Sequence, residues 1–182
     1  MPQKTLVEKQ EVDRWYYIGT EINPLEHTND LLIPRRTIMT ERLRVLILCT
    51  GNSARSQMAE GLLRDMAGDR VEVTSAGVAP THVRPEAIEA MKEIGIDISN
   101  HRSKSIDELI TQAFDYVITV CDHANQHCPV FAGACRRIHW SIEDPAAVEG
   151  DDKIRLAAFR VVREELRERL RKFIQVEVDG IE

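Results

Sequence analysis

Arg44-Val45-Leu46-Ile47-Leu48-Cys49-Thr50-Gly51-Asn52-Ser53-Ala54-Arg55-Ser56 is the stretch on which the reading of this chain turns. From Val45 to Cys49 it is apolar without interruption, as expected of a strand buried on both faces of a parallel sheet. Met58, Ala59, Leu62, Leu63 and Met66 then recur at helical spacing, which predicts a helix over 53–67. A strand that passes through a short turn straight into a helix aims successive backbone N–H groups at one point beyond its own end. Gly51 supplies the positive φ that such a bend can need. Arg55 offers a planar fork of donors that matches two oxygens of a tetrahedral anion. The helix dipole and the loop amides favour a thiolate, predicting a lowered pKa and a nucleophilic sulfur at Cys49, with the Ser56 hydroxyl in reach of it. The pattern Cys-x5-Arg-Ser, between a buried strand and a helix, therefore predicts an oxyanion-binding loop. Thr50, Gly51, Asn52, Ser53, Ala54 and Arg55 form that loop, and Cys49 is its nucleophile.

Outward from this stretch, strands and helices alternate. Short apolar runs at 71–75, 116–121 and 137–141 read as strands. The segment 85–94 reads as a helix with Pro85 in its first turn. Ser105 and Glu108 have the spacing of a capping box and predict a helix over 105–112. Over 153–175, Phe159, Val162, Leu166, Leu170 and Phe173 make one apolar stripe on a highly charged helix. Alternation of this kind predicts an α/β fold: a doubly wound, four-stranded parallel sheet with helices on both faces. Ligands of such sheets sit beyond the carboxyl ends of the strands, where Cys49 and Cys121 both fall. The pattern places a domain over 42–176, an N-terminal extension over 1–41 and a short tail over 177–182. The extension holds Trp15, Tyr16 and Tyr17 together with Pro24 and Pro34. It shows no clean period, and Met39 stands just ahead of the first strand as an alternative start.

Bulk properties narrow the function classes. The 182 residues carry a net charge of −6, which argues against a general nucleic-acid binder with its basic stripe. It leaves a small anionic substrate open, because a nest of N–H groups with one arginine acts locally. No apolar run approaches the roughly 20 residues of a membrane span, and Met1 to Gln10 is too polar for a signal peptide. Cytoplasmic residence is the expectation. There, four cysteines point to thiol chemistry or metal before structural disulfides.

Cys121-Asp122-His123-Ala124-Asn125-Gln126-His127-Cys128 concentrates the remaining thiol chemistry. Two cysteines and two histidines this close invite a zinc reading. Against it, His127 and Cys128 are adjacent, and the separation of two ligand pairs across a hairpin is missing. No metal site is predicted. His123 and His127 read as loop residues that tune nearby thiols, and Cys135 as a half-buried passive thiol. Asp144-Pro145 lies downstream, a pair found in many turns.

With these residues in hand, the segment 45–64 resembles the active-site loop shared by low-molecular-weight protein tyrosine phosphatases and thioredoxin-coupled arsenate reductases. The likeness extends over about 43–174. It implies that Cys49 is the nucleophile, that Arg55 binds the oxyanion and that Asp144 is the general acid. The resemblance further implies that Cys121 and Cys128 are the redox pair of the reductases, which phosphatases do not need. By it, Cys49 attacks arsenate, Cys121 attacks Cys49 and releases arsenite, and Cys128 attacks Cys121. A disulfide is left for thioredoxin, with no tightly bound cofactor. The residues between Cys121 and Cys128 are expected to move, since two Cα atoms must come within about 7 Å for a disulfide. Phosphatases of this kind usually follow Asp-Pro with an aromatic residue, whereas here Ala146 and Ala147 follow.

Some relatives hold potassium beside the loop, at positions matching Asn52, Glu60, Ser75 and Lys104. Lys104 replaces an acidic ligand, which puts potassium in doubt. Asn52 and Ser75 are still expected to shape the loop. Two other readings stand beside arsenate reduction: a phosphomonoester phosphatase using Cys49, Arg55 and Asp144, and a metal- or redox-sensing interaction module built on the cysteine/histidine cluster.

Overall fold

The computed structural model describes residues 42–131 and 135–180, so the extension over 1–41 lies outside the described residues. Four strands pair in parallel: β1 (Leu43–Cys49), β2 (Val71–Gly77), β3 (Tyr116–Thr119) and β4 (Arg136–His139), in the order β2-β1-β3-β4. From Val45 to Cys49 every residue of β1 is buried, as is every residue of β3. Because side chains alternate faces along a strand, both faces of the sheet are covered, as the unbroken apolar runs require. β2 and β4 are the edges, and β4 is largely exposed.

The helices are α1 (Arg55–Ala67), α2 (Pro85–Lys92), α3 (Asp122–Gln126) and α4 (Asp152–Phe173). The predicted stripe of α4 is the buried one: Phe159, Val162, Leu166, Leu170 and Phe173 enter the core. Each such burial contributes about 1.5–3 kcal/mol relative to exposure. α4 begins where the Asp151 carboxylate accepts the Ile154 N–H at 2.9 Å, a cap worth about 1 kcal/mol. No helix among the described residues is long and apolar enough to cross a membrane.

Three segments depart from the sequence reading. The capping box at Ser105 forms, with Asp107 N–H donating to its hydroxyl and Glu108 accepting its backbone N–H. It nucleates only a 3-10 turn, Ile106–Leu109, not a helix to 112. The chain there must turn to bring Phe114 edge-on to Phe131 and enter β3 at Tyr116. The strand predicted over 116–121 ends at Thr119, and the residues between the two thiols form the short helix α3. Beyond Phe173 the backbone continues as a π-helical turn, Ile174–Val178, which runs past the helix end expected at 175.

Candidate active site

Cys49 is the last residue of β1, and α1 starts at Arg55, so the turn between them wraps around the sulfur. The Asn52 N–H donates to Cys49 Sγ at 3.1 Å, and Ser56 Oγ lies 2.8 Å from it. The left-handed residue of the turn is Asn52, at φ 45°, and not Gly51 as the sequence reading had it. Asparagine tolerates this conformation better than most side chains, and here its amide is committed on every side. Its Oδ1 accepts Lys104 N–H at 2.8 Å and Gln57 Nε2 at 3.0 Å. The amide nitrogen must then face the other way, donating to Ser56 Oγ at 2.9 Å and Ser75 Oγ at 2.8 Å.

That orientation fixes the direction of a chain of hydrogen bonds. Ser75 donates to Glu60 Oε2 at 2.5 Å. Ser56 Oγ accepts from Asn52, and among the described residues its own proton has no acceptor but Cys49. The loop thus presents a hydroxyl donor to the sulfur, the arrangement that stabilises a thiolate. Glycine is required at the floor of the turn: a Cβ on Gly77 would stand 2.6 Å from the Thr50 carbonyl oxygen and 2.8 Å from Asn52 N.

The Cys49 thiol is nevertheless pushed up from its ordinary pKa. Burial is the dominant cause, opposed by the Ser56 hydroxyl, the Ser56 backbone and the Arg55 charge. The sequence expectation of a lowered pKa counted the donors but not the burial, and Cys49 is only 2% exposed. Glu60 shows the opposite balance. Burial, its largest single influence, works against ionisation, yet Ser75, Lys104 and Arg64 together hold its carboxyl below the usual range. Lys104 Nζ lies 3.5 Å from Glu60 Oε2, pointing inward with 16% of its side chain exposed. His101 extends the network: Arg64 reaches its Nε2 and Gln57 Oε1 its Nδ1, each at 3.0 Å. Burial, the leading cause, lowers its pKa.

Arg55 and Asp144 meet across the mouth of the loop. Arg55 Nη1 donates to the Ile142 carbonyl at 2.8 Å, and Nη2 pairs with Asp144 Oδ2 at 3.1 Å. Asp144 also caps the turn Pro145–Ala147 through Ala146 N–H at 3.1 Å. The guanidinium is nearly buried while the carboxylate is half exposed, so Arg55 is held firm beside a group that can exchange protons with water.

Register brings a second thiol to this mouth. β1 and β3 pair Leu48 with Thr119, and the Val120 N–H donates to the Leu48 carbonyl at 2.8 Å. Cys121 then falls level with Thr50, whose Oγ1 lies 3.3 Å from Cys121 Sγ and 3.4 Å from His123 Nδ1. Cys121 is the N-cap of α3, its sulfur accepting the Ala124 N–H at 3.4 Å. Cys128 is not brought to it. Its Sγ turns to the Pro129 carbonyl at 3.6 Å, and burial raises its pKa with Arg137 opposing. Burial likewise raises that of Cys135. All four thiols are free. His123 and His127 stack with ring centroids 4.3 Å apart, and among the described residues no three histidine, cysteine or acidic side chains group as a metal site. Sequence reasoning missed the contacts of His139, which lie on the far side of α3. Nε2 is 3.0 Å from Asp122 Oδ1 and Nδ1 is 2.8 Å from Thr119 Oγ1.

A thiol at the end of a central parallel strand, ringed by loop amides and faced by an arginine–aspartate pair, defines a cysteine-nucleophile protein that acts on tetrahedral oxyanions. The chain belongs to the low molecular weight phosphotyrosine protein phosphatase family, whose sequence model matches residues 44–179, and to its arsenate reductase branch. An arsenate reductase from Halalkalibacterium halodurans is 47% identical over 131 residues, covering 72% of this chain and 94% of that protein. One from Bacillus subtilis is 44% identical over the same shares. Among solved structures, an arsenate reductase in a phosphate-binding state superposes with a TM-score of 0.60 at 34% identity, covering 72% of this chain and 96% of that one. A thioredoxin-dependent arsenate reductase from Corynebacterium glutamicum gives 0.57 at 34% identity, covering 74% of this chain and 61% of that one.

Proposed function

We propose that this protein reduces arsenate to arsenite through a covalent Cys49 adduct and a Cys49–Cys121–Cys128 thiol relay, recharged by thioredoxin. The observation that carries the reading is the second thiol at the loop mouth, Cys121 beside Thr50. A hydrolase needs only water there. Reduction needs two electrons, and two thiols supply them when they become a disulfide.

Arg55 and the loop amides bind arsenate with its charge neutralised in place. The Cys49 thiolate, donated to by Ser56, attacks arsenic(V) while Asp144 gives a proton to the departing oxygen, which leaves as water. Binding of the anion has to draw Arg55 from its pairing with Asp144, which frees that carboxyl for the proton. Cys121 then attacks Cys49 Sγ. The electrons of the sulfur–arsenic bond stay on arsenic, arsenite leaves, and a Cys49–Cys121 disulfide remains. Cys128 attacks Cys121 and returns Cys49 as thiolate. A dithiol donor reduces the final Cys121–Cys128 disulfide. The relatives named arsenate reductases support the substrate, and the thioredoxin-dependent neighbour supports the electron donor. The reading places the protein in the reducing cytoplasm, where four free thiols persist.

Potassium has no part in this proposal. The cradle formed by Asn52, Glu60 and Ser75 already faces an ammonium, that of Lys104. A second cation there would meet like charge, and no step is routed through one.

The test is steady-state turnover with arsenate, thioredoxin, thioredoxin reductase and NADPH. Cys49→Ser, Cys121→Ser and Cys128→Ser should each abolish multiple turnover. Full turnover by Cys128→Ser would refute the relay. Hydrolysis of a simple phosphomonoester much faster than arsenate reduction would favour a phosphatase using Cys49, Arg55 and Asp144.

A further inference from the structure

We propose that His139 is a positioning residue for this relay: from strand β4 it clamps α3 in its helical form, holding Cys121 at the loop mouth until that thiol has reacted. The proposal rests on the relay reading and adds a residue that the chemistry itself does not touch.

The geometry is a grip on both ends of a five-residue helix. His139 Nε2 meets the carboxylate of Asp122, the first residue of α3, at 3.0 Å. On the other side of the ring, Nδ1 lies 2.8 Å from Thr119 Oγ1, the last residue of β3. Thr119 Oγ1 also lies 3.3 Å from Asn125 Oδ1, and Arg137 Nη2 donates to the Asn125 carbonyl at 3.5 Å. Hydrogen bonds from Ser141, first, and from His139 hold Asp122 below the ordinary carboxylate range, which keeps it the charged end of the grip.

An isolated helix this short is unstable, because nucleation costs more than so few backbone bonds return. These side-chain contacts therefore add to the Cys121 cap and the burial of Ala124 in keeping α3 formed. Its persistence and the final disulfide exclude each other. From Cys121 to Gln126 the helix alone takes up about 7.5 Å along its axis, and Cys128 lies two residues further on, whereas bridged cysteines need Cα atoms within about 7 Å. α3 must open for Cys128 to reach Cys121, and Asp122 and Asn125 then leave His139 and Thr119. The clamp belongs to the dithiol state alone, so it stabilises that state against oxidation. It also orders the relay: Cys121 meets Cys49 with α3 intact, and Cys128 follows only once the clamp has opened.

The test is the redox equilibrium of the Cys121–Cys128 couple in the full chain, without arsenate, read by differential alkylation and peptide mapping in dithiol buffers. His139→Ala should raise the equilibrium constant for oxidation about tenfold, a potential about 30 mV more negative. His139→Gln keeps a donor for Asp122 and should recover most of the shift, which a merely bulk-filling histidine would not require. Asp122→Asn, which weakens the grip from the α3 side, should move the potential in the same direction and serves if His139→Ala does not fold. An unchanged potential in these variants overturns the clamp. A single arsenate turnover of the wild-type chain separates the two ideas. If no Cys121–Cys128 disulfide forms, the relay falls and the clamp with it. If the disulfide forms while the variants match wild type, only the clamp falls.

Discussion

Lys104→Met removes the ammonium that faces Glu60, leaving a carboxylate only 6% exposed with one cation fewer. At 3.5 Å and an effective dielectric of about 20, the lost attraction is at most about 5 kcal/mol. Arg64 stays bound to the same carboxylate and Ser75 still donates to it, so the net cost is smaller. Removing one partner of a buried pair costs about 3–5 kcal/mol when nothing else compensates. With Arg64 in place, about 2–3 kcal/mol is expected at pH 7. Urea unfolding reads this as a midpoint lowered by about 1–1.5 M, for a slope of about 2 kcal/mol per M.

The pH dependence has a definite sign. Glu60 has its pKa depressed in the folded state, so its contribution is present above the unfolded value of about 4.3 and is lost as pH falls through the folded one. The gap between wild type and Lys104→Met should therefore close as the protein is acidified through that window. Lys104→Asp puts a second carboxylate at the cradle, and potassium but not choline should stabilise it and raise its turnover. A cost below about 0.5 kcal/mol in Lys104→Met, or potassium stabilising wild type as much as Lys104→Asp, would refute the idea that the lysine stands in for a metal ion.

Ser56→Ala removes the directed hydroxyl from Cys49. A hydrogen bond to a charged sulfur is worth about 1.5–3 kcal/mol, so the arsenate step should slow about 10- to 100-fold. The pH at which iodoacetamide alkylates Cys49 should also move further up, since the strongest influence opposing burial is gone. Wild-type reactivity in this variant would mean that the Asn52-directed chain does not reach the sulfur. Gly77→Ala drives a Cβ into the backbone of Thr50 and Asn52. Overpacking of this kind costs about 1–3 kcal/mol, and because the strain falls on the loop, phosphate protection in thermal melts should drop more than stability. Normal phosphate binding would show that the turn can shift without harm.

The parts that sequence made legible share a property: their signals are local. An apolar run at Val45–Cys49, a stripe through Phe159 and Phe173 and the capping box at Ser105 each lie within a few turns of chain. The nucleophile and its arginine are separated by one turn, so their chemistry is legible without a fold. What escaped is set by tertiary contact. Asn52 and not Gly51 takes the left-handed conformation because its side chain bonds to Ser56, Ser75, Gln57 and Lys104, two of them, Ser75 and Lys104, supplied from far along the chain. α3 has no apolar period, only Ala124 buried, and holds its shape through β3 and β4. Burial of Cys49 depends on the whole core and reversed the expected direction of its pKa.

The pairing of Leu48 with Thr119 across β1 and β3 acts as a ruler between the two thiols. A strand repeats every two residues, so sliding this pairing by one would turn Cys121 to the opposite face of the sheet, away from Thr50. The separation of the first two sulfurs cannot be tuned gradually, by lengthening a loop or softening a hinge. It changes only in steps that flip the thiol entirely. Natural variation and engineering alike are then confined to the far partner: the stretch from Asp122 to Cys128 can be rewritten, lengthened or stiffened to alter the last exchange, while the distance for the first is written into the sheet.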